Sequence, residues 1–202
     1  MFLLNEMLVV SRGRRQEAME RLAWIHGLMA SKPGFRRAIV ARYLGDEQKH
    51  AVLRVWDDEG AHQRFREGPD GNYGRSRPPG LYTNEQVVPQ WESIVEARGS
   101  GEGSYLVMVH QEVPEASWEA WLAYQKRLHE FRQAQGGLHG VWTFRAKGRS
   151  ESLSIARYHA RGAHQRLVDS AEFLKAMEGE PEGVKRLSVQ QFEVVSDTPP
   201  AS

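Results

Sequence analysis

The sequence predicts an α+β fold in which two tandem βαββαβ units pack their antiparallel sheets into one pseudo-dimeric α/β barrel. Two observations lead to this prediction. The pentapeptide GAHQR occurs at residues 60–64 and again at 162–166 of a chain of 202 residues. The segments around each copy also follow the same order of strand-like and helix-like patterns. A repeat of this length indicates a duplicated structural unit, since each copy can supply the cover that the other's sheet requires.

The first unit is predicted to span residues 1–98. Its first helix shows apolar residues at steps of three and four, and Pro33 and Gly34 end that helix. Two alternating segments joined by a polar turn then predict a hairpin, and acidic residues after it are typical of a helix start. The predicted elements are a strand at 2–10, a helix at 14–30, a hairpin at 35–44 and 49–56, a helix from 57 and a closing strand at 85–96.

The second unit is predicted to span residues 105–196 and repeats that order. Pro114 suits the first turn of its first helix, and the helix that opens at GAHQR continues after a bend through residues 170–177. A Gly/Ser linker at 99–104 joins the units, and the tail at 197–202 is expected to be disordered. The predicted elements are a strand at 105–113, a helix at 114–131, a hairpin at 139–147 and 151–158, a bent helix at 160–177 and a closing strand at 187–196.

Composition excludes several functional classes. The net charge is +1, which does not favour a nucleic-acid partner. The sequence contains no cysteine, so disulfides, thiol nucleophiles and cysteine metal sites are excluded, and this composition is typical of a cytoplasmic protein. The N-terminal residues lack the pattern of a signal peptide. No apolar stretch approaches the roughly 20 residues that span a bilayer, so we expect no membrane partner.

A series of short motifs gives the sequence a family resemblance. The first half carries PGF at 33–35 and VW at 55–56 followed by acids and a helix, while the second half carries EVP at 112–114, SAEFLKAM at 170–177 and FEVV at 192–195. With the predicted element order, these motifs make the chain similar to the antibiotic biosynthesis monooxygenase family of dimeric α/β-barrel proteins. The family usually forms homodimers. The resemblance therefore implies an intrachain pseudo-dimer, and it leaves open whether two chains also associate.

The resemblance implies a chemistry as well. Many members oxygenate phenols, quinols or polyketide-like aromatics with O₂ and neither a metal nor a flavin, because the bound substrate itself gives an electron to O₂. We therefore expect a monooxygenase acting on a small hydrophobic or aromatic molecule, with no cofactor and no metal. Two alternatives remain open: a protein that binds or degrades heme, and a non-enzymatic module that binds a small molecule.

The heme-degrading branch of the family uses an asparagine on the first strand, a tryptophan that ends the third strand and a histidine on the second helix. Trp56 matches that tryptophan. Asn5 lies near the asparagine position, whereas spacing back from Gly13 places Glu6 on it. The histidine position falls at about Gly74 or Arg75. The resemblance therefore implies that heme is not cleaved by the family's usual arrangement.

Three residues of the first unit are the predicted catalytic candidates: Trp56, Asn5 and Glu6. Alternation along the third strand places Trp56 on the same face as Val52 and Arg54. Trp56 either fills the core or forms the aromatic wall of a ligand cavity. Asn5 and Glu6 interrupt an apolar strand, where a polar side chain must find a partner. An inward-facing Glu6 would be a candidate base, and the alternative places it on the exposed face.

Five residues are the predicted substrate-binding candidates. Tyr73 and Arg75 lie in the Gly/Pro-rich segment, which suits the cover of a pocket and the binding of an anionic group. His110 interrupts an apolar strand and is either a packed histidine or a base. Tyr158 and Met177 stand at the second unit's counterparts of the tryptophan and histidine positions, and Val109 stands at the counterpart of the asparagine position.

Two interpretations of GAHQR remain open at this point. The first is helix packing retained by both copies, with Ala61 and Phe65 facing the sheet. The second is a duplicated metal site at His62 and His164, although the sequence nearby supplies no H-x₃-H arrangement. The first unit keeps the polar candidates, whereas the second carries more apolar ones. We therefore predict one functional cavity, in the first unit, covered by residues 68–80.

Overall fold

The alternating and helical patterns of the sequence form the predicted elements in the computed structural model, which describes residues 1–72, 76–85, 87–98 and 103–201. In the first half the elements are β1 (Phe2–Val9), α1 (Arg15–Ala30), β2 (Phe35–Tyr43), β3 (Lys49–Trp56), α2 (Glu59–Glu67) and β4 (Gln90–Arg98). In the second half they are β5 (Tyr105–Glu112), a 3₁₀ turn (Glu115–Ser117), α3 (Trp118–Ala134), β6 (Leu138–Ala146), β7 (Glu151–Tyr158), α4 (Arg161–Val168), α5 (Ala171–Met177) and β8 (Lys185–Thr198).

The eight strands form a closed antiparallel barrel with the order β1-β3-β2-β8-β5-β7-β6-β4. The strands β1, β3 and β2 are neighbours in that order, and β5, β7 and β6 repeat it. The predicted α+β fold with two βαββαβ halves is therefore confirmed.

The chain divides into two compact units whose boundaries differ from the predicted ones. The first unit comprises Met1–Gln90 and the chain from Val194 onward, and the second comprises Trp91–Glu193. The closing strand β4 belongs to the second unit because it is hydrogen-bonded along β6, from Trp91 opposite Ala146 to Ala97 opposite Val141. Sequence periodicity predicts a strand here but does not say which neighbour it pairs with.

The C-terminal segment is ordered where the sequence predicted disorder. Strand β8 continues through Thr198. Asp197 forms an ion pair with Arg37 at 3.2 Å, and the Ala201 amide donates a hydrogen bond to the Ala30 carbonyl at the end of α1. These contacts fix the segment on the first unit. Of the predicted linker, residues 99–102 lie outside the described residues.

The two GAHQR copies begin α2 and α4 and serve the same packing role. An added Cβ at Gly34 would lie 2.5 Å from the Ala61 Cβ, and one at Gly137 would lie 2.8 Å from the Ala163 Cβ. Both glycines have positive φ, at 83° and 70°. The Gly34 carbonyl accepts a hydrogen bond from the Asp57 amide, and the Gly137 carbonyl accepts one from the His159 amide. Each helix start therefore sits directly on the turn before the hairpin.

The histidine of each copy packs between two aromatic rings. His62 lies 5.6 Å from Phe2 and 5.8 Å from Trp56, measured between ring centroids. His164 lies 5.5 Å from Tyr105 and 5.1 Å from Tyr158. Within the part of the chain that the structure describes, there is no group of three or more His, Asp or Glu side chains suited to a metal. The packing interpretation of the repeat is confirmed.

Candidate active site in the first unit

The helix-facing side of the first unit's sheet holds two of the three catalytic candidates. Phe2 lies opposite Trp56 in the β1–β3 ladder, and Leu4 lies opposite Arg54. Phe2, Leu4 and Trp56 pack with residues of α1 and α2, so even-numbered positions of β1 and β3 face the helices. Glu6 is on this side. Asn5 is buried on the opposite face, so it does not join Trp56 and Glu6.

Trp56 is fully buried at the centre of an aromatic cluster. Its ring centroid lies 5.3 Å from that of Phe35 in an edge-to-face arrangement and 5.5 Å from that of Phe65. The indole Nε1 is buried without a hydrogen-bond partner among the described residues. An indole N–H in a core normally finds an acceptor, so this donor is available to a bound molecule.

Glu6 is the centre of a buried ionic cluster. One carboxylate oxygen accepts a hydrogen bond from Arg54 Nη1 at 3.0 Å, and the other accepts one from Arg77 Nη2 at 2.7 Å. Glu6 is only 3% exposed, so the alternative that placed it on the solvent face is wrong. Both carboxylate oxygens of Glu6 are therefore engaged by guanidinium groups.

Residues 76–85 form a loop segment that places Arg77 beside Glu6. The Asn84 side chain forms two hydrogen bonds with the backbone of β1. Its Oδ1 accepts one from the Val9 amide at 2.7 Å, and its Nδ2 donates one to the Met7 carbonyl at 2.7 Å. Arg77 donates to the Asn84 carbonyl at 2.7 Å and lies 5.0 Å above the Tyr82 ring. These local bonds hold the Arg77 guanidinium against Glu6. The candidates Tyr73 and Arg75, and the family's histidine position at Gly74 or Arg75, lie outside the described residues.

His26 of α1 is buried in the same layer, between the helices and the sheet of the first unit. It is 1% exposed, and burial together with the nearby Arg54 charge lowers its pKa to about 3. The imidazole is therefore neutral at pH 7. Its Nε2 and the Arg54 Nε are buried with no hydrogen-bond partner in the described ranges. With the Trp56 Nε1, three buried nitrogens of this layer are available to a bound molecule, although the described part of the second unit also has buried nitrogens without partners, among them His129 Nδ1 and Trp121 Nε1.

An open pocket of about 200 Å³ adjoins this layer. Phe65 both lines the pocket and contacts Trp56. Lys32 and Asp70 form an ion pair at 2.6 Å on its rim. Residues 68–70 line it, in agreement with the predicted position of a covering segment. The pocket walls are Lys32, Pro33, Ala61, Arg64, Phe65, Gly68, Pro69 and Asp70.

The second unit places Tyr158 and Met177 in one apolar core and leaves His110 outside it. Tyr158 packs in the helix-facing core against His164, and the Tyr124 hydroxyl donates to the Met177 sulfur at 3.2 Å. His110 is at an even position of β5, whereas Tyr105 and Val107 pack in that core. Its Nε2 contacts Glu151 at 2.8 Å, and its ring lies edge-on to Trp91. The surroundings of His110 are thus those of a packed, hydrogen-bonded histidine.

A buried histidine occurs on the first helix of each unit, but its partners differ. His129 of α3 is 1% exposed, and its Nε2 lies 3.0 Å from the Thr143 hydroxyl. That hydroxyl lies 3.0 Å from the Ser154 hydroxyl. The ladder positions that hold Glu6 and Arg54 in the first unit hold Val109 and Ala156 here. The second unit therefore holds its histidine against the Thr143 hydroxyl, whereas His26 Nε2 has no hydrogen-bond partner among the described residues.

Sequence patterns did not single out His26 or Arg54 as site residues. Arg54 carried a usable signal, because alternation already placed it on the Trp56 face of a buried strand. His26 lies between Leu22 and Met29 on the apolar stripe of α1, where a polar residue is uncommon. Their proximity follows only from the packing of α1 on the sheet.

Comparisons with known proteins agree with this architecture. Residues 1–70 match the model of the family described as antibiotic biosynthesis monooxygenase. No curated protein sequence matches the chain. A proposed monooxygenase from Fusobacterium nucleatum has a similar structure with a TM-score of 0.80 and 10% identity, covering 100% of this chain and 95% of the other. A second proposed monooxygenase, from Lactobacillus acidophilus, aligns with a TM-score of 0.76 and 14% identity over 99% and 96% of the two chains.

A heme-degrading enzyme from Listeria monocytogenes also shares the fold, with a TM-score of 0.56 and 6% identity over 96% of this chain and 99% of the other. These likenesses show the fold of the chain. The match of residues 1–70 to the family model agrees with the sequence resemblance. Within the described residues, no helix is long and apolar enough to cross a membrane.

Proposed function

We propose that the helix-facing layer of the first unit is the active site of a monooxygenase that oxygenates an aromatic or quinol-type small molecule with O₂, without a metal or flavin. The observation that supports this most directly is the set of buried, unpartnered nitrogens of His26, Arg54 and Trp56. All three lie within the segment that matches the monooxygenase family. A flat aromatic ring suits the aromatic end of this layer, and a substrate oxygen suits its charged end.

Each residue has a chemical role in this proposal. The neutral imidazole of His26 accepts a proton from the substrate as the substrate anion forms beside it, because that anion forms an ion pair with the imidazolium and offsets the low pKa of His26 in the free protein. The Arg54 guanidinium also stabilises the anion. The anion transfers one electron to O₂, and the superoxide and substrate radical combine to form a carbon–oxygen bond. The peroxide takes the proton back and loses water, which leaves a carbonyl on the substrate. Burial of the layer strengthens these charge interactions.

Oxygen uptake with a panel of quinols and anthrones tests the proposal. We expect His26→Gln to lower turnover about 100-fold, the scale of a lost general base. His129→Gln is the matched control, because it removes the equivalent buried histidine of the second unit. Trp56→Phe, which retains an aromatic ring, should also lower turnover, whereas Tyr158→Phe should not. If the variants of the second unit lost as much turnover as those of the first, a single site would be contradicted. If the wild-type protein took up no oxygen with any compound of the panel, the proposed activity would be contradicted.

Heme remains the alternative ligand, and the described residues include few groups suited to binding it. Glu6 stands at the family's asparagine position, and its carboxylate accepts hydrogen bonds from two arginines. His110, the remaining histidine candidate from the sequence, is engaged by Glu151 and Trp91. We expect added hemin to bind weakly and to degrade slowly when a reductant is present, measured by the Soret band. Rapid Soret loss with release of iron, insensitive to peroxide scavenging, would instead support the heme-degrading alternative.

A further inference from the structure

The charges of the first unit's buried cluster do not balance. Two guanidiniums, of Arg54 and Arg77, share the single carboxylate of Glu6. The side chains of Arg54 and Glu6 are 10% and 4% exposed. The cluster therefore carries a net positive charge within a layer that excludes water, which is costly unless an anion approaches.

Among the described residues, no carboxylate other than that of Glu6 is buried. His26 is neutral, and burial raises the pKa of Tyr82, so its phenol also stays neutral at pH 7. The charges that influence His62 are Arg66, Arg54 and Glu59, of which Glu59 lies on the half-exposed first turn of α2. The Arg54 Nε also lacks a partner among the described residues. A guanidinium with one unused N–H is suited to a second oxyanion.

The adjoining pocket favours the same kind of ligand. Its rim carries Lys32 and Arg64 against the single carboxylate of Asp70. Its inner wall is Phe65, which contacts Trp56. The pocket thus carries cationic groups at its rim and an aromatic ring at its inner wall, with Trp56 packed behind that ring. This arrangement matches a molecule with an aromatic body and an anionic oxygen group.

We propose that the first unit binds its aromatic ligand as an anion, a carboxylate, phenolate or enolate, through Arg54, and that Glu6 sets the strength of binding by partly cancelling the positive charge. This inference rests on the proposed function for the position of the site and specifies the substrate class as acidic aromatic compounds. It predicts opposite effects for two substitutions in one cluster. Arg54→Gln removes the unbalanced positive charge, whereas Glu6→Gln increases it.

Anaerobic binding of 2-naphthoate, with the neutral 2-naphthamide as its matched probe, tests the inference without any turnover. The Trp56 indole N–H resonance, assigned with Trp56→Phe, reports binding at the site. We expect naphthoate to bind at least about 10-fold more tightly than naphthamide, the scale of a charged hydrogen bond. Arg54→Gln should remove most of that preference, Arg54→Lys should retain part of it, and Glu6→Gln should tighten naphthoate binding several-fold.

The controls separate this inference from loss of folding and from failure of the proposed activity. Arg157→Gln removes a buried arginine of β7 in the second unit and should leave naphthoate binding unchanged. Thermal unfolding of every variant identifies those that do not fold, and Glu6→Gln remains informative because a gain in affinity cannot arise from unfolding. Equal affinity for both probes, no shift of the Trp56 resonance by either, or weaker naphthoate binding in folded Glu6→Gln would overturn the inference. Tight naphthoate binding without oxygen uptake for any substrate would overturn only the proposed monooxygenase activity.

Discussion

Acidification from pH 6.5 toward pH 3 should lower the free energy of unfolding by up to about 1.4 kcal/mol per pH unit for each of two buried histidines, His26 and His129. Burial, together with the charge of a nearby arginine, lowers the pKa of both side chains from 6.5 to about 3. In the unfolded chain both titrate near their ordinary value. Between pH 6.5 and 3 the unfolded state therefore binds more protons than the folded state, and acid favours unfolding.

The stabilisation from His26 and His129 is fully present above pH 6.5 and is lost as the pH falls, because burial favours the neutral imidazole over the charged one. Urea unfolding at a series of pH values measures the effect. His26→Gln and His129→Gln should each flatten the slope of stability against pH by about one proton, and the double variant by about two. His159→Gln, which removes an exposed histidine, should leave the slope unchanged. A slope in the double variant equal to that of the wild-type protein would contradict the prediction.

Gly34→Ala should lower the free energy of unfolding by about 3 to 5 kcal/mol, since two penalties act together. The positive φ of 83° disfavours any residue with a Cβ, and the new Cβ would lie only 2.5 Å from the Ala61 Cβ at the start of α2. Gly137→Ala should have a similar effect through its 2.8 Å approach to Ala163. Thermal and urea unfolding measure both changes.

Gly13→Ala is the matched control for backbone strain alone. Gly13 has a φ of 78°, and a Cβ there meets nothing within 4 Å. We expect it to cost about 1 to 2 kcal/mol. Ala61→Gly combined with Gly34→Ala should recover part of the loss, because it removes the atom that the new Cβ meets. If Gly34→Ala and Gly13→Ala were equally destabilising, the close approach of residue 34 to Ala61 would not contribute to the change in stability.

The first-unit site shows where sequence patterns stop being informative. Alternation along β3 places Trp56 and Arg54 on one face, and an apolar strand interrupted by Asn5 and Glu6 indicates buried polar groups. These patterns do not say which of two adjacent polar residues faces the helices. In the structure Glu6 does so and Asn5 does not, because the β1–β3 register pairs Phe2 with Trp56. A shift of one residue would have exchanged their roles.

The sequence by itself determined the duplication, the order and type of the elements, and the faces of its strands, because periodicity and turn residues are local properties of the chain. Only the tertiary structure decided that β4 pairs with β6, that the chain after Val194 packs on the first unit, and that Glu6 binds Arg54 and Arg77. Arg77 is 71 residues from Glu6 along the chain. A buried carboxylate requires a cation, but the choice of cation depends on which distant segments the packing of the core brings within hydrogen-bonding distance.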